Sequence, residues 1–288
     1  MSRIGLLHPG AMGASIGAQL TSKTHTVLWW PEGRSGRSAK RAEQAGLTPS
    51  SQIDDWLTAD YLISICPPDA AESVAQSVID WGYQGTFVEA NAISPMRLRD
   101  IAKKLEAPGI QVIDGSVIGG PVWPGEGALS SVIACSGKGA SAFAALFEET
   151  GFEGRVVSTE LGDASSLKMV FAALTKGSIA LIAEILNVAE QLGVRSELEK
   201  LWGDQATQQR HTQVSTNAAK AWRFAGEMRE ISQTFSEVSA ASGFHEAAAQ
   251  VFERLESHKD WIERPSLNAL LASLSSQDIE ENQKGDRD

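Results

Sequence analysis

The sequence predicts an α/β domain built on a doubly wound parallel sheet, followed by an all-α domain. Three observations predict this architecture. A short apolar strand near the N-terminus leads into a glycine turn and a small-residue helix. Strand-like and helix-like segments then alternate as far as about Val157, which is typical of a parallel sheet covered by helices. From Leu161 onward the chain has the pattern of successive helices.

The first strand is predicted at 4–7, and the helix after it at 14–20, with Gly10 and Gly13 in the turn between them. Bare backbone N–H groups and the dipole at a helix N-terminus favour a pyrophosphate. Gly10 would let the backbone approach the phosphates, and Gly13 would let the helix pack against the strand. His8 stands where the fingerprint has its first glycine, so a purely structural turn is the alternative. The candidate cofactor-binding residues here are His8, Pro9, Gly10, Ala11, Met12 and Gly13.

The second strand, predicted at 25–30, ends where a dinucleotide fold meets the adenosine ribose. Arg34 and Ser35 follow it and supply the charge and hydroxyl that suit the 2′-phosphate of NADP, so NADP is the predicted cofactor. Glu32 keeps NAD as the alternative, because a carboxylate at this place accepts bonds from the ribose hydroxyls. A solvated basic loop without a ligand is the other interpretation.

The rest of the first domain repeats the alternation. Further strands are predicted at 60–66, 86–89, 110–114, 130–135 and 155–157, and helices at 39–45, 70–79, 95–105 and 140–149. Ligands bind at the carboxyl ends of parallel strands, so the candidate loops are 8–13, 31–37, 66–69, 90–94 and 114–128. Cys66, Pro67 and Pro68 open one of them and are expected to contact the cofactor. The glycine-rich loop 114–129 is either structural punctuation or a backbone surface for a small anion.

In the second half, 163–192 is predicted to be one long helix, apolar nearly all round and therefore buried between domains or subunits. Lys168 within it either snorkels to the surface or lies desolvated in the cleft with a pKa lowered toward neutrality. The second alternative suits a proton donor or acceptor. The predicted domains are 1–160, 161–276 and a disordered tail, 277–288. Further helices are predicted at 197–209, 213–225, 228–242, 245–257 and 266–274.

Composition excludes several classes of function. The 288 residues are 42% hydrophobic with a formal net charge of −11, which argues against a general nucleic-acid or anionic-membrane binder. Cys66 and Cys135 are expected to be buried, reduced thiols, and no Cys/His spacing indicates a metal site. No basic leader and no apolar run approaching the roughly 18 residues of a membrane span are evident. We therefore expect a cytoplasmic protein without membrane or nucleic-acid partners.

Four motifs resemble those of the β-hydroxyacid dehydrogenases, relatives of 6-phosphogluconate and 3-hydroxyisobutyrate dehydrogenases. They are the stretches 9–13 (PGAMG), 91–95 (NAISP), 114–120 (DGSVIGG) and 162–168 (GDASSLK), in the family's order and separations. The resemblance covers about residues 3 to 272 and is greatest to a branch with a distinct C-terminal helical domain. It implies a Rossmann-like nucleotide-binding domain, hydride transfer with a nicotinamide cofactor, and a homodimer paired through the helical domain.

The resemblance also implies roles for single residues. Lys168 matches the catalytic lysine, Asn91 falls near the nicotinamide, and Gly119 and Gly120 match the loop that holds the substrate carboxylate. Arg229 falls where the second domain of the family holds the distal end of the substrate. The candidate substrate-binding residues are Ser116, Ile118, Gly119, Gly120, Trp123 and Arg229.

The chain departs from the family at the substrate site. Ile118 replaces a serine, and Phe171 and Ala172 stand where asparagines follow the lysine. Because both changes remove hydrogen-bond donors, the pocket is expected to be more apolar, with Trp123 adding to it. The predicted function is an NADP-dependent oxidoreductase acting on a small hydroxy- or keto-acid-like substrate. The alternatives are an imine reductase-like enzyme, a non-catalytic dinucleotide-binding sensor and, with weaker support, a decarboxylating sugar-acid enzyme.

Overall fold

A computed structural model describes residues 1–126, 131–259, 261 and 263–275. The predicted disordered tail, 277–288, and part of the glycine-rich loop, 127–130, lie outside the described residues. The chain divides into two compact units, Met1–Met169 and Val170–Asp288. The division falls inside the long helix, some nine residues beyond the boundary predicted from the sequence.

The first unit is a single sheet with helices on both faces. Its strands are β1 (Arg3–Leu6), β2 (Thr26–Trp29), β3 (Thr48–Pro49), β4 (Tyr61–Ser64), β5 (Thr86–Glu89), β6 (Gln111–Ile118), β7 (Ser131–Ser136) and β8 (Phe152–Ser158). Its helices are α1 (Ala11–Ser22), α2 (Gly36–Gln44), α3 (Ile53–Leu57), α4 (Ala71–Asp80), α5 (Pro95–Glu106) and α6 (Ala140–Ala145), with a single 3₁₀ turn at Pro68–Ala70. The N-terminal fold class is therefore confirmed.

The strand order is β3-β2-β1-β4-β5-β6-β7-β8. The pairs from β3 to β6 are parallel, β6 and β7 are antiparallel, and β7 and β8 are again parallel. The prediction of a wholly parallel sheet is thus wrong for its last two strands. The direction in which strands are added to the sheet reverses at β1, because β2 and β3 lie on one side of it and β4 lies on the other. Ligands of doubly wound sheets bind at such a switch point.

Three local features differ from the predictions. The short β3 and α3 were not predicted, since two residues and five residues are too few to show a periodicity. Strand β6 runs on through Ile118, so the segment 115–118 is paired strand rather than loop. Glycine is needed at position 115 of this strand, because a Cβ on Gly115 would lie only 2.7 Å from the Val88 side chain.

Two apolar layers cover the sheet. On one face the cluster of Ile4, Leu6 and Val88 packs against α1 and α6 through Ile16 and Phe143. The other face, including Leu62, Phe87 and Val112, packs against helices α3 to α5. Because alternate residues of a strand point to opposite faces, this division fixes which polar side chains share a face at the strand ends.

The second unit is entirely helical in the residues described. Helix α7 (Asp163–Gln191) carries the chain into it, and α8 (Arg195–Trp202), α9 (Asp204–Asn217), α10 (Ala221–Glu237) and α11 (Gly243–Arg254) follow. A last helix, α12, covers 267–275, and single 3₁₀ turns lie at Ala218–Lys220 and Glu256–His258. The helical class of the C-terminal region is confirmed, and α7 ends within one residue of its predicted end.

Helix α7 also corrects one expectation. Among the described residues it is the one helix long and apolar enough to cross a membrane by length and composition, although the sequence was expected to contain no run approaching that length. Only 39% of its most apolar stretch is buried. The core helix of a soluble protein meets the same two criteria, so a single helix of this kind is weak evidence for a membrane.

Candidate active site

The turn between β1 and α1 is shaped by its two glycines. Gly10 is the N-cap of α1 with extended backbone, and it offers no side chain to the first turn of the helix. A Cβ on Gly10 would meet nothing within 4 Å, whereas a Cβ on Gly13 would lie 2.3 Å from the carbonyl oxygen of His8. Gly13 is therefore required by the fold, while the space above Gly10 is open to a ligand. These are the features of a backbone cradle for phosphate.

His8 and Arg34 face one another beside this turn. The Arg34 guanidinium donates from Nη2 to the carbonyl oxygen of Leu7 at 3.0 Å. Burial and the positive charge of Arg34 lower the pKa of His8 to about 4. Among the described residues, the buried atoms Nδ1 of His8 and Nε of Arg34 have no hydrogen-bond partner. Unpartnered buried polar atoms are uncommon, so this pair fits an anionic ligand that would accept a bond from Arg34.

Several residues near this turn or next to Arg34 in the chain have structural roles. Ser35 caps α2 by accepting a bond from the N–H of Ser38 at 3.3 Å. Met12 packs against the core, and its carbonyl accepts a bond from Ser15. Pro9 and Ala11 lie within the turn itself, with Ala11 the first residue of α1. Contact between any of them and a cofactor stays a prediction.

The loop after β4 is tied to the loop after β5 by Asn91. The Asn91 side chain accepts a bond from the N–H of Cys66 at 2.5 Å and donates one to Ser64 Oγ at 3.0 Å. Burial raises the pKa of the Cys66 thiol to about 11, which leaves it neutral and unreactive at pH 7. Pro67 precedes the 3₁₀ turn and Pro68 is buried within it. Asn91 therefore orders two strand-end loops of the candidate cofactor site.

A row of buried polar side chains crosses the sheet at its ligand-binding edge. Strand register places Ser64 beside Glu89, Glu89 beside Asp114, and Asp114 opposite Ser136. These residues are at most 1% exposed. Ser64 and Asp114 share the sheet face of Leu62 and Val112, since they follow those residues by two positions. Sequence reasoning missed Glu89 and Ser136 as site residues, although a carboxyl at the end of an apolar strand was a visible signal.

Asp114 holds the N-terminus of α7. Its Oδ2 accepts bonds from the N–H of Gly162 at 3.1 Å, the N–H of Ser165 at 2.8 Å and Ser136 Oγ at 3.0 Å. Its Oδ1 accepts a bond from Ser165 Oγ at 2.8 Å. Burial raises the pKa of Asp114, and its bonds from Ser165, Ser136 and Gly162 oppose that rise. A carboxylate at a helix N-terminus satisfies orphan donors and complements the dipole. The cap fixes α7 against β6.

Lys168 lies on α7 close to this cap. The residue is half-buried. Desolvation lowers its pKa from 10.5 to about 8, and the negative charges of Asp114 and Glu89 oppose the shift. The described residues provide no hydrogen-bond or ion-pair partner to the amine. Such an amine exchanges protons near neutral pH, while its catalytic role stays a prediction.

The strand and loop from Ser116 to Trp123 form the predicted substrate surface. Ser116 is buried in β6, and its hydroxyl has no hydrogen-bond partner in the described part of the chain. Gly119 has a φ of 117° and a Cβ there would lie 2.4 Å from Ser131 Oγ, so glycine is required. The Gly120 carbonyl accepts a bond from Ser131. Ile118 ends the strand, and Trp123 packs partly against the core.

Arg229 is engaged within the second unit. It lies on α10 and pairs with Glu253 at 2.6 Å and with Glu246 at 3.4 Å. Both carboxylates raise its pKa. Its predicted contact with the substrate stays a prediction. Within the described residues no group of three or more potential metal ligands is found, and both cysteines are free thiols.

Comparison with known proteins places the chain in a family. Residues 3–160 match the NAD-binding domain of 6-phosphogluconate dehydrogenase, and residues 183–255 match a domain of unknown function, DUF1932. A conserved protein of unknown function, whose structure resembles 3-hydroxyacid dehydrogenases, is 26% identical with a TM-score of 0.64. That comparison covers 89% of this chain and 97% of the other.

Two enzymes share the fold at lower identity. The 3-hydroxyisobutyrate dehydrogenase of Mycobacterium tuberculosis is 18% identical with a TM-score of 0.68, over 96% of this chain and 99% of its own. An imine reductase of Streptomyces aurantiacus is 17% identical with a TM-score of 0.53, over 94% and 98%. The resemblance seen in the sequence motifs is thus confirmed. The chain belongs to the family defined by the NAD-binding domain of 6-phosphogluconate dehydrogenase, and it is an oxidoreductase.

Proposed function

We propose that the protein is an NADP-dependent oxidoreductase in which Lys168 moves the proton that accompanies hydride transfer. The observation that carries this proposal is the position of Lys168, whose pKa desolvation lowers to about 8, on a helix that Asp114 fixes at the strand ends. An amine with this pKa exists in both protonation states near neutral pH, as a general acid and base must.

The first unit contributes binding and orientation. The N–H groups at the start of α1 and the open backbone at Gly10 hold the pyrophosphate. Arg34 supplies a positive charge and an unpartnered buried donor to the adenosine phosphate. A nicotinamide cofactor, when bound, supplies the hydride acceptor or donor. Asn91, which orders the loops after β4 and β5, lies on the nicotinamide side of the site.

Lys168 acts on the oxygen of the substrate. In reduction of a carbonyl, the ammonium donates a proton to the oxygen as its negative charge develops. In oxidation, the neutral amine accepts that proton from the hydroxyl. Asp114 keeps the amine in place through the first turn of α7 and stabilises its charged form. Positioned acid–base groups of this kind typically contribute about 100- to 10,000-fold to the rate.

The substrate is a small hydroxy- or keto-acid-like compound, with an imine as the second candidate. The imine is favoured by one observation, the apolar Ile118 at the end of β6, where a hydroxyl would otherwise bind a carboxylate. A panel of hydroxy acids, keto acids and cyclic imines, assayed with NADPH and NADH by nicotinamide absorbance, tests both. Turnover of a panel member supports an enzyme. Saturable NADPH binding without any turnover supports the alternative of a dinucleotide-binding sensor.

We further propose a homodimer formed through α7. Apolar residues recur along this helix at alternating steps of three and four, with Ser178 as the one polar position, and Leu192 continues the spacing just after the helix ends: Phe171, Leu174, Ser178, Leu181, Ile185, Val188 and Leu192. The apolar members are 38–73% exposed. This heptad spacing is that of a seam packed against another helix, and a second copy offers the same seam by symmetry.

A charged residue in the seam tests the dimer. Leu181→Glu should yield a monomer by sedimentation equilibrium while the wild type is a dimer, because a carboxylate would be buried at the interface. Leu201→Glu is the matched control, since Leu201 lies on α8 outside the seam and is 85% exposed. A wild type that sediments as a monomer contradicts the proposal.

A cytoplasmic location stays a prediction from the sequence.

A further inference from the structure

Glu89 is a buried ionisable group that the proposed chemistry does not use. It ends β5 and is 1% exposed. Its Oε1 accepts a bond from the N–H of Asn91 at 3.0 Å, and its Oε2 is buried without a hydrogen-bond partner among the described residues. A buried carboxylate oxygen left without a donor is costly, whereas a protonated one is a donor ready for a ligand, a water or a base.

Glu89 and Asp114 are neighbouring carboxyl groups, and the ionisation of one opposes the ionisation of the other. They stand side by side in the register of β5 and β6, on strands whose usual separation is about 4.8 Å. Two carboxylates at this spacing ionise together only at high cost. Asp114 receives four hydrogen bonds, from Ser136, Gly162 and Ser165, while Glu89 receives one. The proton therefore resides on Glu89, and Asp114 is the carboxylate that balances the Lys168 ammonium.

The other charges around Glu89 are accounted for. Across helices α4 and α5, Glu72 and Arg97 bind each other at 2.5 Å, so their opposite charges largely cancel at Glu89. Cys66, after β4, is a neutral thiol. Lys168 on α7 is the cation whose charge interacts with both Glu89 and Asp114. The pKa of Glu89 is thus raised by burial and by the charge of Asp114, and it is lowered by the hydrogen bond from the N–H of Asn91.

We propose that Glu89 is a positioning residue for Lys168, which keeps the amine charged by ionising as the pH rises. This inference rests on the proposed proton-transfer role of Lys168. At pH 7 the neutral Glu89 leaves one carboxylate and one ammonium in the buried row. When Glu89 loses its proton, the new negative charge holds the proton of Lys168 more tightly. The ammonium therefore persists to a higher pH than Asp114 alone would allow.

The test measures the Lys168 proton directly, without substrate or cofactor. The full-length protein carrying ¹³C-labelled lysine is titrated by NMR, and the Lys168→Met variant assigns the resonance. Glu89→Gln keeps the shape and removes the charge, so the pKa of Lys168 should fall by about one unit, the low end of the range for a nearby opposite charge. Glu72→Gln is the matched control. It should leave the Lys168 titration unchanged, because Glu72 does not act on that amine.

An unchanged Lys168 titration in Glu89→Gln overturns the proposal, whether or not the protein proves to be an oxidoreductase. Should Glu89→Gln fail to fold, infrared difference spectroscopy of the wild type decides. A protonated carboxyl band present at pH 7 and lost at alkaline pH supports the proposal, and its absence at pH 7 overturns it. Once a substrate is found, Glu89→Gln should move the alkaline limb of kcat for reduction to lower pH with KM unchanged. Failure of the substrate panel leaves the NMR result intact, so the two proposals fail separately.

Discussion

Replacing Glu89 by Gln should make the protein more stable than the wild type at alkaline pH. Burial, together with the negative charge of Asp114, raises the pKa of Glu89 from 4.5 to about 8. A carboxyl whose pKa is raised by folding stabilises the folded state fully below its unfolded pKa, and this contribution disappears as the pH rises through the folded pKa. The difference of about 3.5 pKa units, at about 1.36 kcal/mol each, amounts to about 5 kcal/mol.

The assay is urea unfolding of both proteins, followed by tryptophan fluorescence, at pH values from about 4.5 to about 8.5. The wild type should lose up to about 5 kcal/mol relative to Glu89→Gln across this range. The quantity compared is the difference in unfolding free energy between the two proteins, because the lowered pKa of His8, about 4, makes both of them gain stability as the pH rises toward 6.5.

Glu72→Gln is the control. Hydrogen bonds from Arg97 lower the pKa of Glu72 below 4.5, so its contribution to stability is lost only as the pH falls below that value, and the difference between wild type and Glu72→Gln should stay nearly constant over most of this range. A free-energy difference between wild type and Glu89→Gln that stays constant over the range would refute a buried, protonated Glu89.

Three further predictions follow from the site. Asp114→Ala leaves the N–H groups of Gly162 and Ser165 without acceptors and should cost about 2–6 kcal/mol in urea unfolding, whereas Asp163→Ala at the same helix end should cost under about 1 kcal/mol; equal losses would contradict the cap. Gly13→Ala should destabilise the fold through its clash with a backbone carbonyl, while Gly10→Ala should fold normally and weaken NADPH binding in calorimetry; normal binding by Gly10→Ala would exclude a phosphate there. Arg34→Ala should raise the Kd of NADPH by about 10- to 100-fold and that of NADH much less, the loss of one charged hydrogen bond; equal effects would favour NAD.

The sequence predicted most of the fold because its strands are buried and its helices end at clear signals. Strand β5 was predicted at its observed bounds. Ser94 caps α5 as its place before Pro95 indicated. The reversal between β6 and β7 was not predictable, since an apolar run shows that a strand is buried but not which way it runs.

The sequence predicted only those parts of the candidate site whose residues stand close together in the chain. The glycine turn and Lys168 each stand in a local pattern, so both could be proposed from the sequence, and their roles stay predictions. The pairing of Glu89 with Asp114 depends on strand register, and the cap that Asp114 places on α7 joins residues about 50 positions apart. Neither contact can be inferred from the residues next to Glu89 or Asp114 in the sequence. Long-range contacts of this kind require the folded sheet.

The central claim is that Lys168 moves a proton beside a bound nicotinamide cofactor. The most direct measurement compares Lys168→Ala with the wild type in NADPH affinity, by calorimetry, and in turnover of whichever panel substrate reacts. The account predicts an unchanged Kd for NADPH and a kcat lower by about 100- to 10,000-fold. A Lys168→Ala protein that binds NADPH normally and turns over at the wild-type rate would contradict it.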